Sequence, residues 1–182
     1  MTEPTPTDPD NIDPYDVDPA SVDPESIDES VFDTIDDSLK VVSAELTINA
    51  PAAEVFELIA DPARHADWDG NDNVAASAPG QRVTGPGVSF ITTLTKEVER
   101  ENHVVEFVEG ELIAWKPSEV GGEPFGQKWK WEIEALGETS STVRHTYDWT
   151  QLRDVRRLPR ARSTTPEKLL ASMHRLKDLA ET

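Results

Sequence analysis

Cysteine is absent from all 182 residues, which excludes disulfides and thiolate metal sites. No run approaches the ~18 consecutive apolar residues that a membrane-spanning helix needs. Basic residues are scarce. Lys and Arg number 17 against 36 Asp and Glu, for a net charge of −19. Binding to a phosphate backbone requires a net basic face, so nucleic acid is not an expected partner. The first 38 residues contain no Lys or Arg. With no basic n-region and no apolar h-region they do not read as a signal peptide, and a cytoplasmic location is the default expectation.

Hydrophobic residues are only 36% of the chain, and the shortage is local. Residues 1–38 hold thirteen Asp and Glu; removing their −13 from −19 leaves −6 for residues 39–182, an ordinary mildly acidic domain. About 140 residues can bury roughly two-thirds of their chain surface, enough for a real core. The division expected is a tail over 1–38 and a domain over 39–182.

Within the tail, Asp recurs at 8, 13, 18, 23, 28 and 33, and Pro follows at 9, 14, 19 and 24. An apolar residue precedes each later Asp at Ile12, Val17, Val22, Ile27 and Phe32. Repeated prolines block helix and central strand, and like charges repel, so an extended, disordered tail is expected. It reads as a solubilising leader or as a segment that docks a protein partner. An internal docking target exists in Arg153, Arg156, Arg157, Arg160 and Arg162, the most basic stretch of the chain.

The domain opens with strict alternation over Val41–Ile48, the period of a half-buried strand. Pro51 and Glu54 suit the first turn of a helix, and Val55, Phe56, Leu58 and Ile59 give it an apolar face. Asp61-Pro62 closes it and opens a second short helix that runs to about Trp68. Residues 69–87 are rich in Gly and Pro and read as loop, with a strand near Val74. Further strands are expected at 88–94, 103–108, 112–116, 128–135 and 142–150. Thr165, Pro166 and Glu167 then form a helix start, followed by Leu169, Met173, Leu176 and Ala180 at helical spacing. Consecutive strands joined by short turns imply an antiparallel meander with the long helix packed on one face, an α+β architecture.

The arrangement resembles a known family. The first strand is followed by Ala50-Pro51-Ala52-Ala53-Glu54-Val55-Phe56, then by Asp61-Pro62 and Trp68. This resembles the opening of the START-like, helix-grip (SRPBCC) superfamily, whose bacterial members often carry the label polyketide cyclase/dehydrase. Trp131-Glu132-Ile133-Glu134 and Thr142–Trp149 resemble its last two strands, and Leu170–Leu176 its final helix. The resemblance spans roughly residues 41–181. It implies a curved antiparallel sheet wrapped around the long C-terminal helix, with a cavity between them. Family members include cyclases, lipid carriers, hormone receptors and chaperone activators, so fold alone leaves function open.

Alternation puts Trp129 and Trp131 on one face of their strand, and His145, Tyr147 and Trp149 on one face of the next. If the two strands pair, these rings lie side by side; Trp115 joins them from an earlier strand and Met173 from the helix. Aromatic walls with a few polar tips suit a small hydrophobic or aromatic ligand, lipid- or polyketide-like, although the same rings could simply fill a core. His145 and Tyr147 are the polar residues that could serve as acid and base in a ring closure or dehydration. No third residue to orient them is evident, so binding or carriage is the leading expectation and catalysis the alternative. A regulator acting through the acidic tail is a third reading.

His65 and Trp68 fall on the second short helix, near the expected mouth. His65, Asp67, Asp69 and Asp72 match no strong metal motif, Gly80, Gly85 and Gly87 make no phosphate loop, and His103 and His174 belong to no recognisable constellation. No metal or cofactor is expected.

Overall fold

The computed structural model describes residues 28–182. Seven strands form one antiparallel sheet: β1 (Val41–Ile48), β2 (Val74–Ala76), β3 (Ser89–Leu94), β4 (Glu99–Val108), β5 (Leu112–Ser118), β6 (Lys128–Ala135) and β7 (Ser141–Asp148). Their order across the sheet is β1-β7-β6-β5-β4-β3-β2. Each strand from β2 to β7 pairs with its neighbour in sequence, and β1 closes on the last strand, with Val42 opposite Tyr147 and Ala44 opposite His145. The expected α+β helix-grip architecture is the one observed.

Helices α1 (Ala52–Ala60) and α2 (His65–Trp68), bridged by a 3-10 turn at Pro62–Arg64, follow β1. After β7 come a 3-10 turn at Val155–Arg157, α3 (Leu158–Ser163) and the long α4 (Pro166–Ala180). Pro166 is the first residue of α4, as its fixed φ favours, and Thr165 is the extended cap residue, its side chain making no cap hydrogen bond. Leu169, Met173 and Leu176 put the buried stripe of α4 toward β1, β7, α1 and α2. The register of β4 against β5 shifts between Val104 and Glu106. One extra residue there bends the strand, and this bend helps to curl the sheet around α4.

Two apolar clusters result. The larger joins Val55, Phe56 and Ile59 of α1 to Ile113, Trp131, Ile133 and Val143 of the sheet and Met173 and Leu176 of α4. The second gathers Tyr147, Trp149, Leu152, Leu158, Ala161 and Leu169 around Phe32. Phe32 therefore crosses the expected boundary at residue 39. A 3-10 turn at Glu29–Thr34, opened by Asp28 accepting from the Ser30 N–H at 2.9 Å, presents Phe32 inward, where it is 0% exposed. Of the arginines named above, Arg153 places its guanidinium 5.9 Å from the Phe32 ring centre, and Leu158 and Ala161 belong to the same apolar cluster as Phe32. The rest of the period-five segment, residues 1–27, lies outside the described residues.

Helix α3 and its preceding turn were not foreseen. The arginine run has no helical apolar period; only Leu158 and Ala161 are buried. The cue is Asp154, whose carboxylate caps the turn by accepting from the Arg156 N–H at 3.1 Å.

Candidate functional site

Pairing of β5, β6 and β7 sets Trp115 opposite Trp129, Trp129 opposite Tyr147, and Trp131 opposite His145. All five side chains face the concave side. The Trp131 and His145 rings stack 3.7 Å apart at 11°, and the Trp129 and Tyr147 rings lie 4.3 Å apart. Trp129 also reaches His145 at 5.5 Å, which closes this half of the wall.

α2 supplies the continuation. The Trp68 ring meets Trp131 edge-on at 5.3 Å, and its indole N–H donates to the Leu58 carbonyl at 2.8 Å. His65 lies 4.8 Å from Trp68 and stacks on Trp115 at 5.5 Å, and Trp115 meets Phe90 of β3 at 5.4 Å. Phe90, Trp115, His65, Trp68, Trp131, His145, Trp129 and Tyr147 thus form a belt of rings, each touching the next. All eight line one cavity of about 170 Å³ between the sheet, α2 and α4. Engineered cavities of about 150 Å³ hold a benzene molecule. The rings therefore surround a hollow.

The loop between α2 and β2 closes one side. The Asp69 carboxylate accepts from the backbone N–H groups of Asn71, Asn73 and Val74, the last two at 2.7 Å. The Gly70 N–H donates to Ser172 Oγ on α4 at 3.0 Å. Gly70 sits so close to α4 that a Cβ there would stand 2.2 Å from the Ala171 backbone. The acidic residues around α2 are therefore occupied: Asp69 as above, Asp67 with Arg64 and Asp72 with Arg175.

Both cavity histidines are neutral. His145 is driven down to about 3 by burial alone, and neither ring nitrogen has a hydrogen-bond partner among the described residues. Burial likewise lowers His65 to about 4, against the opposing pull of the Ile59 carbonyl, which lies 2.8 Å from Nε2. Burial raises the Tyr147 phenol to about 12, opposed by the positive charges of Arg160 and Arg157. The indole N–H of Trp131 and Gln127 Oε1, both on the cavity wall, also lack partners among the described residues. Buried polar atoms of this kind call for a further partner such as water or a ligand.

Of the residues singled out in the sequence, Trp115, Trp129, Trp131, His145 and Tyr147 come together on the cavity wall. Trp149 and Met173 do not line it. Strand β7 ends at Asp148, so the period of two stops there, and Trp149 turns into the cluster around Phe32. Met173, 0% exposed, packs into the main core with Leu176. Phe90, Asn102, Phe125 and Gln127 line the cavity without having been foreseen, as do Arg100, Arg157, Arg160 and Lys168. A pattern signal existed for Phe90, which alternates with Ser89 and Ile91; the cations carried none. A wider depression near Glu109 and Glu134 opens elsewhere on the sheet; five glutamates stand among its lining residues, which include no aromatic ring.

The family model for "Polyketide cyclase / dehydrase and lipid transport" matches residues 40–181. Among curated proteins, "Uncharacterized protein Rv0088" of Mycobacterium tuberculosis is 33% identical over 111 residues, 59% of this chain and 47% of that protein. The chain spans about half the length of the curated relatives it matches. Among solved structures, protein CV1439 of Chromobacterium violaceum superposes with a TM-score of 0.56 at 15% identity, over 79% of this chain and 98% of that one. Norcoclaurine synthase of Thalictrum flavum, solved with dopamine and hydroxybenzaldehyde, superposes with a TM-score of 0.52 at 14% identity, over 77% and 85%. These two likenesses concern the fold. No helix among the described residues is long and apolar enough to cross a membrane.

Proposed function

This chain belongs to the polyketide cyclase/dehydrase and lipid transport family, and from that premise we propose that it binds a small molecule with a flat apolar or aromatic body in the ring-lined cavity. One observation carries the reading: eight consecutive rings surround a hollow of about 170 Å³. Such a space takes an aromatic ring or a short hydrocarbon segment, and the rings offer both faces and edges to it. Stacking and apolar burial supply affinity, while the unpartnered Gln127 and Trp131 atoms supply direction.

Binding is favoured over acid–base turnover by the state of the two titratable candidates. An imidazole held near 3 and a phenol held near 12 both keep their neutral forms throughout the physiological range. Efficient proton transfer needs a pKa near the working pH. His145 is also pressed flat against Trp131, with no residue to orient it. Within the family's range of activities this supports a carrier or receptor of the ligand.

The test is a fluorescence titration of the full chain with single-ring aromatic compounds. Quenched or shifted tryptophan emission that saturates in wild type, and a loss of about threefold to tenfold in affinity in Trp129→Ala, are expected; an aromatic pair is worth about 0.5–1.5 kcal/mol beyond the area it buries. Trp129 is only partly buried, so the variant should fold. Emission unmoved across a broad aromatic and lipid panel would contradict the proposal.

A further inference from the structure

The polar atoms around the belt of rings are treated in two ways. On the α2 side the fold supplies their partners: His65 Nε2 lies 2.8 Å from the Ile59 carbonyl, and the Trp68 indole N–H donates to the Leu58 carbonyl at 2.8 Å. On the β6–β7 side four atoms go without. Both nitrogens of His145, the indole N–H of Trp131 and Gln127 Oε1 are buried and have no hydrogen-bond partner among the described residues. The His145 and Trp131 rings cannot serve each other. They stack at 3.7 Å and 11°, and an N–H lies in the plane of its ring, so each N–H points past the neighbouring face. Gln127 directly precedes β6 and has the parity of Trp129 and Trp131, and all three line the same hollow.

These atoms call for a particular kind of group. A neutral imidazole carries one N–H and one lone pair, whichever nitrogen holds the proton. Trp131 adds a donor and Gln127 Oε1 an acceptor, so the wall offers donors and acceptors in equal measure. A carboxylate only accepts, and would set its lone pairs against those of Gln127 and the imidazole. An ammonium only donates, and would leave both N–H groups unmet. Either ion would also shed its water in a hollow of rings, which is costly. A hydroxyl donates and accepts at once. The charged residues beside the hollow do not ask for an ion. Asp154 lies 3.4 Å from Arg157 Nε, and Glu119 attracts both Arg157 and Arg100. Asp69, also on the wall, is spent on three backbone N–H groups.

We propose that the ligand is uncharged and bears at least one hydroxyl group, which His145, Trp131 and Gln127 read while the rings hold its apolar body. This rests on the cavity-binding reading above and adds the ligand's polar group to it. Specificity follows from what would be left unmet. An analogue without the hydroxyl buries the same rings but leaves these four atoms bare, and a site with buried polar groups rejects such an analogue.

Calorimetric titration of the full chain with 4-phenylbutan-1-ol, 4-propylphenol, butylbenzene, 4-phenylbutanoate and 4-phenylbutylammonium tests this. At least one of the two hydroxyl compounds should bind about tenfold or more tightly than butylbenzene and than either ion, since a buried polar group left unpaired costs about that factor or more. The preference over butylbenzene should fall below about threefold in His145→Phe and in Gln127→Leu. It should persist in Trp149→Phe, which deletes an unpartnered indole N–H that belongs to the Phe32 cluster and not to the hollow. The two cavity variants lie on different segments, so one guards against misfolding of the other, and melting curves confirm their folding. A preference untouched in both would take the hydroxyl away from these residues and overturn the proposal. Butylbenzene binding as tightly as the hydroxyl compounds in wild type would also overturn it, because ordered water would then serve these atoms, and would leave the cavity reading intact. An ion binding as tightly as the hydroxyl compounds would overturn it too. Silence from all five compounds would overturn both readings.

Discussion

His145 and Trp131 show how burial decides chemistry at a single position. Alternation in β7 points the imidazole inward; pairing with β6 lays it on an indole; exclusion of water then makes its charged form costly. His65 meets the same fate on α2. Both folded values lie below the ordinary 6.5, so between about 6.5 and about 4 the unfolded chain binds protons that the folded chain refuses. Their contribution to stability is complete above pH 6.5 and is lost as pH falls, with a slope of about 1.4 kcal/mol per pH unit from each histidine. His145→Phe keeps a ring against Trp131 and removes one titrating group. Denaturant unfolding between pH 4.5 and 6.5 should therefore show a clearly flatter pH dependence in the variant than in wild type. Identical slopes would mean that His145 already titrates in the folded state. These protonation states were not legible in the sequence, where His145 and Tyr147 stood as an acid–base pair. Their types suggested proton transfer as the alternative to binding, and the lack of a third residue to orient them already told against it; the depth at which the sheet buries them adds to that.

At the scale of elements, period-two alternation was decisive. It located β6 to the residue and β1 to the residue, and the apolar spacing of α4 gave that helix its length. What alternation could not supply is where a strand stops. Trp149 has the parity of Tyr147 but lies one residue past β7, so it left the cavity for the Phe32 cluster. Nor could the sequence separate Phe32 from the acidic segment around it, because it continues the same five-residue repeat as Ile12, Val17, Val22 and Ile27. Phe32→Ala should cost about 3–5 kcal/mol, the usual range for emptying a fully buried phenylalanine site. The melting temperature would then fall by roughly 10 °C or more, and a change within error would show that the contact is dispensable. Gly70 marks the closest approach of a loop to α4. In Gly70→Ala the new methyl group would meet the helix backbone at 2.2–2.4 Å, so loop and helix must separate, at a cost of about 1–3 kcal/mol. Ligand affinity should fall with stability, since the Gly70–Ser172 hydrogen bond closes the cavity wall. A variant that melts and binds like wild type would remove this loop from the account.

Across the whole molecule, the sheet bends around α4, and the space it leaves is walled by rings on the sheet and α2 and by cations toward α3 and the start of α4. The order of elements made the fold and the aromatic half of the site readable in the sequence. The cationic half was not, because Arg100 on β4, Arg157 before α3 and Lys168 on α4 are far apart in the chain, and only the closed fold assembles them. The five tryptophans divide cleanly: Trp68, Trp115, Trp129 and Trp131 line the hollow and Trp149 does not. Nitrogen-15 NMR reads all five indole N–H groups separately during titration with 4-phenylbutan-1-ol. Binding in the hollow predicts that the signals of the four lining indoles move together and saturate while that of Trp149 stays in place. Four stationary lining signals, or movement confined to Trp149, would contradict it.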